Sequence, residues 1–131
     1  MEIRPEIKEM LHAKRFQRFL NLTKDVPRIK GECAWCTRPG RKGLKYCSDE
    51  CSDDANIRAS STDVAIQVKN RDHGICAMCG KLPERTYPKS WEALHKLPVH
   101  KGGGVCGLDN YQTLCITCHV KAGRVNYGRV I

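Results

Sequence analysis

The sequence contains no long apolar run, and this absence limits where the chain can act. No stretch reaches the roughly 18 consecutive apolar residues that could cross a bilayer. The segment from Met1 to Lys14 is charged and lacks the continuous apolar stretch of a secretion signal. We therefore expect a cytoplasmic, or at least intracellular, protein that has no membrane partner and keeps its thiols reduced.

Aromatic residues are scarce, at 6% of the chain. A surface that binds single strands by stacking their bases needs several aromatic side chains, so the composition argues against such a platform. Trp35 lies between two cysteines and is expected to cover a metal site, and Trp91 is expected to anchor a core.

Basic residues are abundant. The chain has 23 lysines and arginines against 14 acidic residues, which gives a formal net charge of +9 over 131 residues. Such an excess on a small protein favours a polyanionic partner, with nucleic acid the first candidate. The alternative is that the charge only keeps the protein soluble, and charge alone does not decide between the two.

A chain of this length buries limited apolar surface, so its modules need additional stabilisation. Its nine cysteines can supply that stabilisation as metal ligands. Eight of the cysteines form C-x2-C and C-x3-C pairs, spacings at which thiolates bind zinc tetrahedrally. The ninth, Cys106, is expected to be a buried small hydrophobe. The predicted ligands are Cys33, Cys36, Cys47 and Cys51 for the first structural zinc, and Cys76, Cys79, Cys115 and Cys118 for the second.

We expect three segments. Residues 1–30 would form a basic amphipathic helix, over Pro5 to Leu20, and a linker. Residues 31–60 would form a treble-clef-like zinc module with four cysteine ligands, the last of them on a helix that begins near Ser48. Residues 61–131 would carry the second zinc site and start with a helix that runs to about Arg71, with an N-cap among Ser60, Ser61 and Thr62 and with Asp63 in its first turn. The first helix could contact DNA, dock on a partner or pack on the zinc modules, and packing is the default.

The insert between the second set of cysteine pairs carries a further ordered motif. A histidine is followed by a proline, a glycine pair, an asparagine and then L-C-x-x-C-H. This order strongly resembles the HNH endonuclease family over Asp72 to Ala122, and a glycine turn at Gly102–Gly104 would join its two strands. The upstream half is similar to the cysteine-rich lead-in of small phage-type HNH proteins. The matching positions are His95, Pro98, Gly102, Gly103, Asn110, Leu114, Cys115, Cys118 and His119.

The resemblance implies a small α+β fold, with a ββα-metal unit after the treble-clef-like module. It also implies a metal-dependent DNA endonuclease, in which His95 is the general base, Asn110 fixes the loop that orients it, and His119 binds a catalytic Mg²⁺, Mn²⁺, Ni²⁺ or Zn²⁺ ion. Duplex DNA would be the substrate, and a homodimer or a protein partner stays open. The basic residues expected to contact phosphates are Lys96, Lys101, Lys121 and Arg124.

One position departs from the family pattern. Leu94 stands where the family has an aspartate or histidine that binds the catalytic metal, and leucine cannot be a ligand. Glu92, His100 or another residue could substitute, although Glu92 lies about 7 Å along the strand and would need local rearrangement. Otherwise the protein is a natural binder without nuclease activity, or Leu94 was introduced to disable it. The alternative function is therefore a non-catalytic, zinc-stabilised nucleic-acid-binding module.

Overall fold

The structure, a computed structural model, describes residues 2–82 and 91–122. Within these residues the chain is a small α+β fold, as the sequence predicts, with a two-stranded antiparallel sheet. Short 3₁₀ turns lie at Val99–Lys101 and Leu108–Asn110. Over the described ranges, each helix is too short or too polar to span a membrane. The elements are α1 (Pro5–Ala13), α2 (Asp49–Ala59), α3 (Ser61–Asp72), β1 (Trp91–His95), β2 (Tyr111–Cys115) and α4 (Ile116–Ala122).

The first helix is shorter than predicted. α1 starts at Pro5, where a missing N–H costs nothing, but it ends at Ala13 rather than Leu20. Beyond that point the backbone bonds outside the helix, because the carbonyl of Arg15 accepts a hydrogen bond of 2.7 Å from the amide of Gly104. The residues after α1 therefore lie against the glycine loop of the C-terminal unit.

The core of the first cysteine module forms around Trp35, which is fully buried. Ile7 of α1 and Cys33 belong to the same apolar cluster, so packing explains the apolar face of α1. The indole Nε1 donates to Asp54 at 2.8 Å, and the guanidinium of Arg58 lies 5.2 Å from the ring centroid. Because Trp35 is fully buried in the cluster that contains Cys33, Cys36 and Cys51, it does not present a stacking surface.

Serine caps position the next two helices. Ser48 Oγ accepts a hydrogen bond of 3.2 Å from the amide of Cys51, which starts α2 where the sequence predicts a helix. Ser60 Oγ accepts one of 3.4 Å from the amide of Asp63, so α3 begins at Ser61 with Asp63 in its first turn, as predicted. α3 then buries Val64 and Val68 against the sheet.

The sheet pairs Trp91 with Cys115 and His95 with Tyr111. Trp91 anchors an apolar cluster on the α3 side, as predicted. Alternation along β1 puts Glu92 and Leu94 on the opposite face, toward the second cysteine set and α4. The order β1, β2, α4 is the predicted ββα order.

Candidate functional site

The first cysteine set converges around one point. Its Sγ atoms all lie within 4.8 Å of one another, with separations of 3.5 Å for Cys36–Cys47 and 3.6 Å for Cys47–Cys51. A tetrahedral Zn²⁺ with Zn–S bonds of about 2.3 Å places its sulfurs about 3.8 Å apart. The set therefore fits a zinc ion. Its members are Cys33, Cys36, Cys47 and Cys51.

Backbone amides favour the thiolate form in this set. The amides of Trp35 and Arg38 donate to the sulfurs of Cys33 and Cys36, each at 3.4 Å. Burial raises the pKa of the Cys33 thiol, but hydrogen bonds from backbone amides, that of Trp35 among them, outweigh the effect of burial and lower the pKa to about 6. Burial raises the pKa of Cys51. At least one sulfur is thus prepared as the anion that binds metal.

The second set is assembled from distant parts of the chain. The amide of Ala77 donates to the carbonyl of Thr113 at 2.8 Å and brings the first pair against β2. Cys79 and Cys115 sulfurs are 3.9 Å apart. Burial raises the pKa of the Cys76 thiol, but backbone hydrogen bonds outweigh the effect of burial and lower the pKa to about 6. The second set also fits zinc, and its members are Cys76, Cys79, Cys115 and Cys118.

A catalytic ion has a less complete set of ligands. In residues 2–82 and 91–122, the two cysteine sets are the groups in which three or more Cys, His, Asp or Glu side chains converge. His119 lies on α4 and is 1% exposed, and its Nδ1 contacts the carboxylate of Glu92. Its Nε2 is buried and makes no hydrogen bond within the described part of the chain.

The contact between Glu92 and His119 has a chemical consequence. When Nδ1 carries the proton that the carboxylate accepts, Nε2 presents its lone pair, which is the arrangement of most metal-binding histidines. Sequence reasoning considered Glu92 only as a replacement for a ligand at position 94. Its pairing with His119 depends on where α4 crosses β1, which no local pattern reveals. His119 Nε2 is then one protein nitrogen for a divalent ion, which would complete its shell with water and phosphate.

His95 ends β1 and is fully buried. Its ring centroid lies 4.7 Å from that of Tyr111, its partner in the sheet register, at an interplanar angle of 49°. Burial raises the pKa of the Tyr111 hydroxyl well above its usual range. Sequence analysis missed Tyr111, because its place beside His95 follows from the register of the two strands.

Asn110 ties down the loop that follows His95. Its Oδ1 accepts from the amide of Leu97 at 2.9 Å, and its Nδ2 donates to the carbonyls of Leu97 at 3.2 Å and Gly103 at 2.9 Å. Its own carbonyl accepts from the amide of Lys96 at 2.7 Å. These bonds fix the backbone that leaves β1, and a role for Asn110 in orienting His95 remains a prediction.

The glycines of the motif lie in the connection between the strands, residues 96–110, and Gly102 forms part of a turn there with a positive φ of 93°. Gly103 and Gly104 also allow close backbone approach. A Cβ on Gly103 would lie 1.9 Å from the carbonyl oxygen of Leu97, and one on Gly104 would lie 1.9 Å from that of Gln17. The motif therefore serves both the Asn110 loop and the docking of the N-terminal segment.

The predicted phosphate contacts are only partly described. Lys96, Lys101 and Lys121 are exposed, and Arg124 lies outside the described residues.

Leu94 is fully buried in an apolar cluster with Cys76, Leu114 and Cys118.

Comparison with known proteins bears on the same region. Residues 76–124 match the family model described as HNH endonuclease. A mouse protein named DNA annealing helicase and endonuclease ZRANB3 is 30% identical over 112 aligned positions, which cover 57% of this chain and 10% of that protein. The human protein of the same name is 29% identical with the same coverage. No solved structure gives a significant match.

The chain spans about 10% of the length of these curated relatives. The matched region begins at the first cysteine of the second set and contains β1, β2 and α4. It supports a nuclease-type function. The chain carries an HNH endonuclease domain over residues 76–124.

Proposed function

We propose that this chain is a metal-dependent HNH endonuclease that hydrolyses phosphodiester bonds in duplex DNA. The observation that carries the proposal is the loop after His95, which Asn110 holds through three side-chain hydrogen bonds inside the matched region. Hydrolysis needs a base that is fixed relative to the phosphate, and a fixed loop after His95 supports His95 in that role. The net charge of +9 favours the same substrate.

Each site residue has a task in this proposal. His95 accepts the proton of the attacking water, and Asn110 positions His95 through the backbone. His119 Nε2 would hold the divalent ion, and Glu92 keeps that nitrogen unprotonated by accepting from Nδ1. The ion, when bound, neutralises charge that develops on the phosphate and the leaving oxygen.

The rest of the chain supports this unit. We assign residues 1–30 to an N-terminal helix and linker, 31–60 to a treble-clef-like zinc module, and 61–131 to the HNH unit, with one structural zinc in each of the last two. Lys96, Lys101, Lys121 and Arg124 would contact phosphates. Reduced thiols and a DNA substrate fit an intracellular site of action.

The test is a plasmid-nicking assay with Mg²⁺, Mn²⁺, Ni²⁺ or Zn²⁺ on the zinc-loaded chain. We expect nicking by the wild type and by the control His12→Ala, which removes an exposed histidine of α1. His95→Ala should bind DNA and keep both zinc ions but fail to nick. Equal nicking by His95→Ala and the wild type would refute the role of His95.

One observation favours a second function. His95 and His119 are almost completely enclosed, and Leu94 supplies no ligand. A domain with these properties could bind DNA without cutting it. In that case the wild type and His95→Ala bind duplex DNA with equal affinity, and neither nicks it with any of the four ions.

A further inference from the structure

A basic groove lies on the first cysteine module, outside the HNH match. It has a volume of about 690 Å³ and runs between the segments 28–32 and 40–45. We call it the basic groove, and its charged lining residues are Arg28, Lys30, Glu32, Arg41, Lys42 and Lys45.

The charge of this groove is almost entirely positive. Five of its lining side chains are cations, and Glu32 is the one carboxylate among the lining residues described. Glu32 is already neutralised, because Arg4 donates to it at 2.7 Å from the buried side of the module. Asp49 approaches Arg41 only at 3.8 Å and is exposed, so this pair contributes little. The groove therefore presents an excess of cations to solvent.

The frame of the groove is fixed by the same bonds that build the sulfur set. The amide of Gly40 donates to the carbonyl of Gly31 at 2.8 Å and joins the two segments. The amide of Ala34 donates to the carbonyl of Lys45 at 2.9 Å, next to Cys33. The cations thus stand on a frame that a zinc ion would hold rigid, which lowers the entropy lost when they bind a ligand.

The open space beside the two segments of the groove can admit a large ligand. Gly31 and Gly43 have positive φ, and a Cβ on either would meet no atom within 4 Å. Arg28, Lys30 and Arg41 are exposed, so the groove does not enclose a ligand as a small-molecule pocket would. An open trough lined by cations suits a polymer with regularly spaced negative charges.

The geometry points to the sugar–phosphate backbone of duplex DNA as the ligand of the basic groove. This inference rests on the proposed function only in taking DNA as the partner, since it requires no cleavage. The first cysteine module is then a second DNA contact, distant in sequence from Lys96, Lys101 and Lys121. Its contacts raise affinity without reading sequence, because they meet phosphates and not base edges.

The experiment measures the affinity of the zinc-loaded chain for a short duplex by fluorescence anisotropy at several salt concentrations. The groove variant is Lys30→Gln, Arg41→Gln and Lys42→Gln together. The control variant is Lys8→Gln, Lys24→Gln and Lys69→Gln, which removes the same charge from exposed positions outside the groove. Zinc content and melting temperature confirm that each variant is folded.

We expect the groove variant to bind roughly 10- to 100-fold more weakly at about 0.1 M salt, with a salt slope lower by about 2.7 for three lost phosphate contacts. The control variant should lose less than about threefold. Equal losses in the two variants would reduce the effect to net charge and overturn the inference, as would an unchanged groove variant. Poly-glutamate that competes as well as DNA would overturn the choice of ligand.

The binding measurement is independent of turnover. A wild-type chain that binds through the groove but nicks no plasmid supports this inference and refutes only the proposed hydrolysis. A chain that nicks, and whose groove variant binds DNA normally, supports the proposed hydrolysis and overturns this inference.

Discussion

Asn110 is the residue at which a single substitution should release the loop after His95. Asn110→Ala removes three side-chain hydrogen bonds, two to Leu97 and one to Gly103, and leaves the backbone bond to Lys96. Each such bond contributes about 1 kcal/mol net. Because the site is half-buried and water can replace part of the loss, we expect a fall of about 2–3 kcal/mol in the free energy of unfolding.

The assay is urea denaturation of the zinc-loaded protein, compared with Asn110→Asp. The aspartate keeps an acceptor for the amide of Leu97 but turns a carboxylate toward the carbonyls of Leu97 and Gly103. It should therefore be at least as destabilising as alanine, although it is closer in shape to asparagine. An Asn110→Asp protein as stable as the wild type would refute the assigned donor bonds, and an unchanged Asn110→Ala midpoint would refute all three side-chain bonds.

Three further predictions address the rest of the site. Glu92→Gln should weaken Mn²⁺ binding at His119 by about 10- to 100-fold in a calorimetric titration, since the amide no longer fixes the tautomer, whereas equal affinity would mean that the pair is only structural. Gly104→Ala should increase hydrogen exchange around Gln17, because the new Cβ meets that carbonyl at 1.9 Å; unchanged protection would contradict the docking. Chelation of zinc should abolish the folded circular dichroism spectrum, and Cys76→Ser should lower zinc content from two ions to one; a spectrum that resists chelation would argue against structural zinc.

The cysteine sets and the HNH motif could be predicted because both are recognised from residue types and their spacing along the sequence. Two pairs with metal-ligand spacing predict a site whatever lies between them, and the hydrogen bond from the amide of Ala77 to the carbonyl of Thr113 brings the first pair against β2, which carries Cys115. The starts of helices α2 and α3 could also be predicted from the sequence, because a serine cap acts within the first turn of a helix.

The end of α1 could not be predicted from the sequence in this way. The apolar period continues past Ala13, but the carbonyl of Arg15 accepts a hydrogen bond from the amide of Gly104, nearly ninety residues later in the chain. Tertiary contacts of this kind outweigh helix propensity, which is worth only tenths of a kcal/mol per residue. The same limit applies to the pairing of Glu92 with His119, because it depends on how α4 packs on β1.

The basic groove also required the structure. Its cations come from two short segments that the sequence separates by the first cysteine pair. In the sequence they are scattered lysines and arginines, each of which is best interpreted as a solvated surface residue. The pairing of Gly31 with Gly40 brings the segments together and makes one surface of them.

Leu94 links stability and chemistry at this centre. Its side chain is fully buried with Leu114 and Cys118, on the strand face that also carries Glu92 toward His119. Leu94→Asp would remove this packing, at a cost of about 2–5 kcal/mol, while adding a carboxylate on the face of the candidate ligand.

We therefore expect the Leu94→Asp protein to unfold at lower urea concentration, to bind Mn²⁺ more tightly than the wild type, and to nick plasmid DNA faster. Leu94→Asn is the matched control, because it loses the same packing without adding a charge. If both variants lose stability equally and neither gains Mn²⁺ affinity, position 94 faces only the core, and His119 must hold the catalytic ion without it.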